Sequence, residues 1–367
     1  MADELKSGAA GRVAGRAAAA ACVGVLCLGG TAWAQNSVTV FGGADAGLRH
    51  VSNSEGSRNS MQSGNNYTSR LGLRGVEDLG GGLQASFWLE STVNVPNGGA
   101  GTGSTFWDRR ATVSLSGKFG EFRLGRDYTP MFRAFAGTDV FAYVGVAGMG
   151  TLYGAGASSP VGGAFGTGAT TVARANGSFQ YFTPNTLGGF YFNGMYAREG
   201  GTDPGSFDFW GARAGYAAGP LDASVFGGST KIEKTGQNFS LYGVAGNYTI
   251  GSVKLLASAV QMKYQHAKQS NYSLGAEWTV GPGQIRATYR RINQSGSNSA
   301  GLGIGGDDAN VFGIGYVYNL SKRTAFYGTA AYVDNKGRAR FVLPGGLPGN
   351  APGASSRGAE IGIRHIF

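Results

Sequence analysis

The sequence predicts an all-β fold: a 16-stranded antiparallel transmembrane β-barrel. Three observations carry that prediction. Apolar and polar residues alternate in one segment after another, the period of a strand with two unlike faces. The connections between those segments alternate between short and long. Beyond residue 34 no apolar run reaches about 18 residues, so any membrane crossing has to be made by strands.

The first element is a cleavable signal peptide over residues 1–34. Lys6, Arg12 and Arg16 form its basic region, diluted by Asp3 and Glu4. "AAAAACVGVLCLGG" is the apolar stretch, and "AWA" from Ala32 to Ala34 offers a small-x-small cleavage site. A retained membrane anchor is the alternative, and the short apolar core argues against it. The barrel domain is then expected over 35–367, starting at Gln35. Both cysteines, Cys22 and Cys27, fall in the leader, which leaves the exported part without a disulfide framework or a thiolate metal site. A charged fraction of 14% and 12% aromatics argue against disorder, and 67 glycines without a collagen period suit turns and closely packed strands.

Strands are expected at Ser37–His50, Asn66–Gly75, Leu83–Asn94, Thr105–Gly117, Glu121–Tyr128 and Ala173–Thr183. Five more follow at Gly189–Arg198, Phe207–Ala217, Leu221–Ser229, Phe239–Thr249 and Val253–Gln265. The last are Asn271–Val280, Gly283–Asn293, Asn310–Asn319, Arg323–Val333 and Arg357–Phe367. "VEDLGGG", "KFG", "PNTLGG", "AAGP", "IGS", "GPG" and "LSK" read as tight turns. Between them lie longer polar loops such as "VSNSEGSRNSMQSGN" and "QSGSNSAGLGIGGDD". Short turns at one end and long loops at the other mark an up-and-down membrane barrel, whereas a secreted soluble sandwich mixes the two.

The faces agree. Leu83, Ala85, Phe87 and Leu89 oppose Gln84, Ser86, Trp88 and Glu90; Ile285, Ala287 and Tyr289 oppose Gln284, Arg286, Thr288 and Arg290. Closed walls of this size leave a wide lumen, so a polar second face is best satisfied by water inside and lipid outside. The chain ends on "IGIRHIF", with Ile361, Ile363, His365 and Phe367 on one face. A terminal aromatic on such a strand looks like the membrane-insertion signal of outer-membrane barrels.

These segments resemble the Gram-negative general porins, most closely the β-proteobacterial branch. "SVTVFGGADAGLRHV", "SRLGLRGVEDLGGGLQASFWLES", "RRATVSLSGKFGEFRLGRDYTP", "FQYFTPNTLGGFYFNGMYA", "LSKRTAFYGTAAYVD" and "GIRHIF" carry the resemblance across the exported chain. It implies a sixteen-stranded barrel in the outer membrane, a homotrimer, passive diffusion of ions and small hydrophilic solutes, and a third loop that narrows the lumen. That loop is expected at about 127–172, where Asp127, Arg133 and Asp139 are the only charged residues. By resemblance "GTDVFAYVG" faces the narrowest point, and Tyr143 lies near a position where relatives carry a glutamate. The acidic side of the constriction then rests mainly on Asp139, with Asp127 and Glu90.

The same resemblance makes Arg70, Arg74, Arg126 and Arg174 a basic wall and places the family's first-strand lysine near Gly43. Alternation agrees for Arg70, Arg74 and Arg174. For Arg126 it points to lipid, unless Gly125 and the departing loop turn the side chain. Arginines in a low-dielectric constriction concentrate anions and repel cations. Opposed to Asp139 they would set up a transverse field, and the expected outcome is weak to moderate anion selectivity. A substrate-specific channel for organic anions on the same scaffold is the alternative reading. Arg70 could instead be neutralised by Glu90 across the hairpin.

Other functions fit the residues less well. The histidines His50, His266 and His365 have no evident nucleophile or orienting carboxylate beside them, so an enzyme is not expected. No cofactor motif or metal-ligand spacing stands out. The net charge of +10 is dispersed along the chain, which argues against nucleic-acid binding. Arginines near the loops, such as Arg49, could meet lipopolysaccharide phosphates. Lys231, Lys234 and Lys268 read as solvated loop charges, and tyrosines at strand ends as interfacial girdles against outer-membrane lipid. A barrel with a closed lumen is a further alternative, disfavoured by inner faces rich in glycine, serine and threonine.

Overall fold

The computed structural model describes residues 37–153, 159–166, 170–198 and 207–367. The expected signal peptide lies outside the described residues. The strands are β1 (Ser37–Asn53), β2 (Gly56–Ser63), β3 (Arg70–Gly80), β4 (Leu83–Asn94), β5 (Gly99–Ala100), β6 (Arg110–Gly117) and β7 (Gly120–Tyr128). Two short helices follow, α1 (Pro130–Ala136) and α2 (Pro160–Phe165). Next come β8 (Arg174–Phe182), β9 (Phe190–Arg198), β10 (Phe207–Ala218), β11 (Leu221–Ile232), β12 (Gln237–Ile250) and β13 (Val253–Tyr264). The chain finishes with β14 (Ala267–Val280), β15 (Gly283–Gly296), β16 (Ala309–Asn319), β17 (Thr324–Asn335) and β18 (Ser356–Ile366).

Successive strands pair antiparallel, and β1 closes the sheet against β18. The lower half of β1 pairs with β3 and its upper half with β2, so β2 and β3 are one stave interrupted at residues 64–69. The two-residue β5 only folds back on β4. Among the described residues the wall therefore has sixteen staves, as the alternation predicts. The interruption is held by Asp45, whose buried carboxylate accepts the backbone N–H groups of Asn65, Asn66 and Tyr67 and the Tyr327 hydroxyl. Such a break leaves no periodic signal, so residues 56–63 read as loop from sequence. The fourth expected strand is also shorter than its pattern, starting at Arg110 rather than Thr105.

The outer face is apolar and exposed, with Val113, Leu124, Val225, Val244, Leu274, Ile314 and Ile361 among its residues. Tyr216, Tyr248, Trp278 and Tyr318 lie toward the short-turn end, and Tyr196, Trp210, Tyr242, Tyr272 and Tyr332 toward the long-loop end. These are the two aromatic girdles of a lipid-facing band. Phe367 belongs to the outer face as well, and its backbone exchanges hydrogen bonds with Gly42.

The hydrophobic core lies inside the barrel. The inner faces of β11–β17 are not uniformly polar: Phe226, Leu241, Met262, Ile292, Val311 and Val333 are buried there. Against them packs the chain between β7 and β8, through Met131, Phe135, Val140, Phe141, Val146 and Met149. Wall glycines make room for it. A Cβ on Gly228 would stand 2.7 Å from Met131, and one on Gly313 would stand 2.7 Å from Ala147. A few of the glycines that read as tight strands thus serve as sockets for an inward loop.

Candidate pore constriction

The inward loop leaves β7 through a capped helix. Thr129 Oγ accepts the Phe132 N–H at the start of α1, Pro130 occupies the first turn, and the same hydroxyl donates to the Val172 carbonyl. One threonine therefore starts the helix and closes the base of the loop. Ser159 caps α2 in the same way. α1 rests on β10, β11 and β12, and α2 on β13. The loop thus occupies one half of the lumen and leaves the half walled by β3–β8.

Two anchors hold its tip. Asp139 accepts the N–H groups of Phe141, Tyr143 and Met149, and pairs with Arg290 of β15 at 2.6 Å. Both side chains of that pair are 0% exposed. The expectation that Asp139 offers its carboxylate to the channel is therefore corrected: its bonds go to the loop backbone and to Arg290, and no lumenal surface remains to it. Glu360 of β18 is the second anchor, accepting the Val146 N–H at 3.0 Å and the Arg49 guanidinium at 2.6 Å. Arg49 is thereby buried inside the barrel mouth rather than placed at the lipid surface.

Tyr143 sits at a positive φ of 66°, edge-on to Phe132 and near Phe135 and Tyr153. Burial pushes its hydroxyl well above the ordinary tyrosine range, an effect that Asp139 reinforces and Arg174 opposes. It stays neutral wherever proteins work, so it adds no negative charge to the loop. Asp139 is the sole carboxylate between Asp127 and Arg174 in the sequence, so the loop presents no negative charge to the open half.

The open half is walled by arginines on aromatic rings. Arg74 is exposed and lies 5.5 Å from the Phe41 ring centre and 5.3 Å from that of Trp88. Arg110 covers Trp88 at 4.6 Å, Arg70 covers Tyr67 at 4.4 Å, and Arg174 covers Tyr128 at 4.4 Å. The rings hold the guanidiniums extended without cancelling their charge. Tyr67 also fills the space beside Gly43 where relatives are expected to carry a lysine, since a Cβ there would meet its ring at 2.8 Å.

Two buried carboxylates are embedded in this wall, beside a partly exposed third, Glu121, which pairs with Arg123 at 2.7 Å. Glu90 takes Arg70 at 3.1 Å, Arg109 at 2.5 Å and the Trp88 indole N–H at 3.0 Å. Asp127 takes Arg123 at 2.6 Å, Arg133 at 2.8 Å and Arg110 at 3.8 Å. Each is shared among several guanidiniums and so leaves excess positive charge. Among the described residues no carboxylate lies within ion-pair distance of Arg74 or Arg174.

Sequence reasoning brought Arg70, Arg74, Glu90, Asp127 and Arg174 to one region, and the structure gathers them there. Arg174 lies where alternation points it, although the strand is interrupted between it and Ser178. Opposite Gly125–Asp127 the register slips, so Asn176 and Gly177 together face one residue of β7, and Arg174 pairs with Tyr128. Its guanidinium donates to the Tyr128 hydroxyl and the Arg109 carbonyl. Arg126 keeps the outward register instead, opposite Ala111 in line with Val113 and Leu115. It donates to the Asp108 carbonyl and to Asn176, so the wall position implied for it by resemblance is corrected. Arg109, Arg110, Arg123 and Arg290 were missed as site residues. For Arg110 and Arg123 the signal was available, since each alternates with inward residues such as Thr112 and Asp127.

This geometry defines a transmembrane barrel whose lumen is half filled by a pinned loop and half bordered by cations. The family model described as Gram-negative porin matches residues 17–338. The chain is 36% identical to outer membrane porin protein 32 of Delftia acidovorans, over 94% of this chain and 97% of the relative. It superimposes on the solved anion-selective porin from Comamonas acidovorans with a TM-score of 0.79 at 35% identity, covering 91% of this chain and 100% of the other. The trimer form of OmpT from Vibrio cholerae shares the fold, with a TM-score of 0.63 at 16% identity, 90% of this chain and 99% of the other being covered. The chain belongs to the Gram-negative porins and is an outer-membrane porin.

Proposed function

We propose that this porin is an anion-preferring diffusion channel whose preference comes from Arg70, Arg74, Arg110 and Arg174 facing a loop without exposed acid. The observation that carries the reading is the burial of Asp139 against Arg290, which leaves that wall unopposed. The likeness to a relative named an anion-selective porin supports it. Arginine stays ionised throughout the working pH range and acts here by raising the local anion concentration. The transverse field expected from Asp139 is not part of this reading, and the preference is correspondingly stronger than weak. Replacing both Arg74 and Arg174 by alanine tests it. Neither has a carboxylate partner among the described residues, so the barrel is expected to fold while the chloride-to-potassium permeability ratio falls several-fold. An unchanged ratio in the double variant overturns the arginine-wall account.

The proposal extends to the finer parts of the assignment. Residues 1–34 act as a removed signal peptide, 35–367 form the barrel, and 127–172 the constriction loop. The chain works as a channel without catalysis, a reading that membership of the porin family supports. It assembles as a homotrimer, as the trimer form of a fold relative suggests. Its outer face contacts outer-membrane lipid and lipopolysaccharide, and Phe367 serves membrane insertion. One observation favours the second reading, a saturable site for organic anions: Arg74 and Arg110 flank the Trp88 ring, which suits a solute with both a carboxylate and an apolar part. Concentration-dependent block of chloride current by such a solute supports that reading, and linear conductance opposes it.

A further inference from the structure

Arg290 and Glu360 hold the tip of the constriction loop, while its first helix has no such anchor. Among the described residues no ion pair joins α1 to β10, β11 or β12, the staves it rests on; its Arg133 pairs back to Asp127 of β7. The contact beneath α1 is also incomplete. A cavity of about 70 Å³ remains there, bordered by Arg133, Ala134 and Thr138 of the loop and by Arg213, Asp222 and Asn247 of the wall. Asp222 and Asn247 pair in register close to the short turns, so the cavity lies on the periplasmic side of the constriction.

Two guanidiniums border this cavity with a donor unused. Arg133 gives Nη2 to Asp127 at 2.8 Å, and Arg213 gives Nη2 to the Tyr191 hydroxyl and lies 3.5 Å from Asp222. The Nε–H of each is buried and has no acceptor among the described residues. Aromatic rings fix both groups in place: Arg133 lies 5.5 Å from the Phe182 ring centre and Arg213 lies 4.7 Å from that of Tyr191. The carboxylates nearby are already engaged. Asp127 also serves Arg123 and Arg110, Glu121 serves Arg123, and Asp222 accepts the Tyr191 hydroxyl at 2.7 Å.

The charges of this cluster do not balance. Arg110, Arg123, Arg133 and Arg213 face only Glu121, Asp127 and Asp222, a surplus of one positive charge. A buried donor on a charged group is costly to leave unpaired, and a buried surplus charge calls for a partner of opposite sign. A cavity of this size has room for a few water molecules or one small anion. Water would accept the two N–H groups and leave the surplus standing; an anion answers both demands.

We infer that this cavity binds one small monovalent anion of the size of chloride, which accepts the Nε–H groups of Arg133 and Arg213 together. The anion bridges α1 to β10 and supplies the underside of the loop with the tie to the wall that its side chains lack. Chloride passing through the channel thereby also sets how firmly the constriction loop is held. The site rests on the porin assignment and does not depend on whether the channel prefers anions.

The test uses crystals of the full barrel soaked in sodium bromide, with anomalous scattering to locate bromide, and thermal unfolding of the same protein in detergent. The wild type is expected to show a bromide peak within hydrogen-bond distance of both Nε atoms. It is also expected to unfold at a higher midpoint in chloride than in gluconate of equal ionic strength, gluconate being too large for the cavity. Arg213→Gln is expected to lose both the peak and the chloride-dependent shift. Ala245→Leu, which fills the cavity from β12 and keeps both arginines, should lose them as well. Lys231→Gln, on an exposed hairpin, should keep both. Density in the cavity without anomalous signal, water only, overturns the site, as does a peak retained in both cavity variants. A wild-type peak with equal midpoints in chloride and gluconate also overturns it, since that marks an adventitious ion only. The Arg74→Ala, Arg174→Ala double variant should keep the peak whatever becomes of its permeability ratio, which separates failure here from failure of the channel reading.

Discussion

Glu90 and Asp139 are the two carboxylates whose surroundings decide how the channel treats charge. Glu90 is shared by Arg70 and Arg109, so it damps the wall without neutralising it. Glu90→Gln should therefore raise the chloride-to-potassium permeability ratio, by up to about threefold, with modest loss of stability from the two guanidiniums left without their acceptor. Reversal potentials of the variant in a salt gradient check the direction. Asp139 acts otherwise, since its bonds go to the loop backbone and to Arg290. Arg290→Met leaves that carboxylate buried and unpaired, a change expected to cost about 3–5 kcal/mol locally. The loop should then detach from the wall, giving larger and noisier single-channel currents. Steady wild-type conductance in Arg290→Met would show that the pair does not fix the loop. The charge of Asp139 was legible in the sequence. Its burial was not, because the partner lies 151 residues away and nothing local announces the contact.

At the scale of the element, the constriction loop is held by shape as much as by charge. Met131 enters the space left by Gly211 and Gly228, Val140 that of Gly275, and Phe141 and Ala147 that of Gly313. Gly313→Leu fills one such socket. Overpacking of this kind costs about 1–3 kcal/mol and should push the loop tip into the open half of the lumen. Lower conductance with an intact, heat-modifiable barrel on gels is the expected result; unchanged conductance would mean that the loop rests elsewhere. Strand existence was readable for nearly every stave because the two faces differ in chemistry all along the wall. What alternation missed has local causes. The Asn176–Gly177 bulge interrupts the strand after Arg174, and the break at residues 64–69 splits one stave into β2 and β3. The apolar inner face of β11–β17 was hidden as well, because a loop distant in sequence covers it.

For the whole molecule, the division of the lumen is what sets selectivity. One half is an apolar cradle filled by the loop, and the other is a wall of arginines fixed on tyrosine, phenylalanine and tryptophan rings. Because guanidiniums remain charged and burial keeps Tyr143 protonated, selectivity should be flat from about pH 5 to about pH 9. The most direct test of the account is the zero-current potential of the wild-type channel across a potassium chloride gradient in a planar bilayer. The account predicts the sign of anion-selective permeation, held across that pH range. A potential of the cation-selective sign would contradict it.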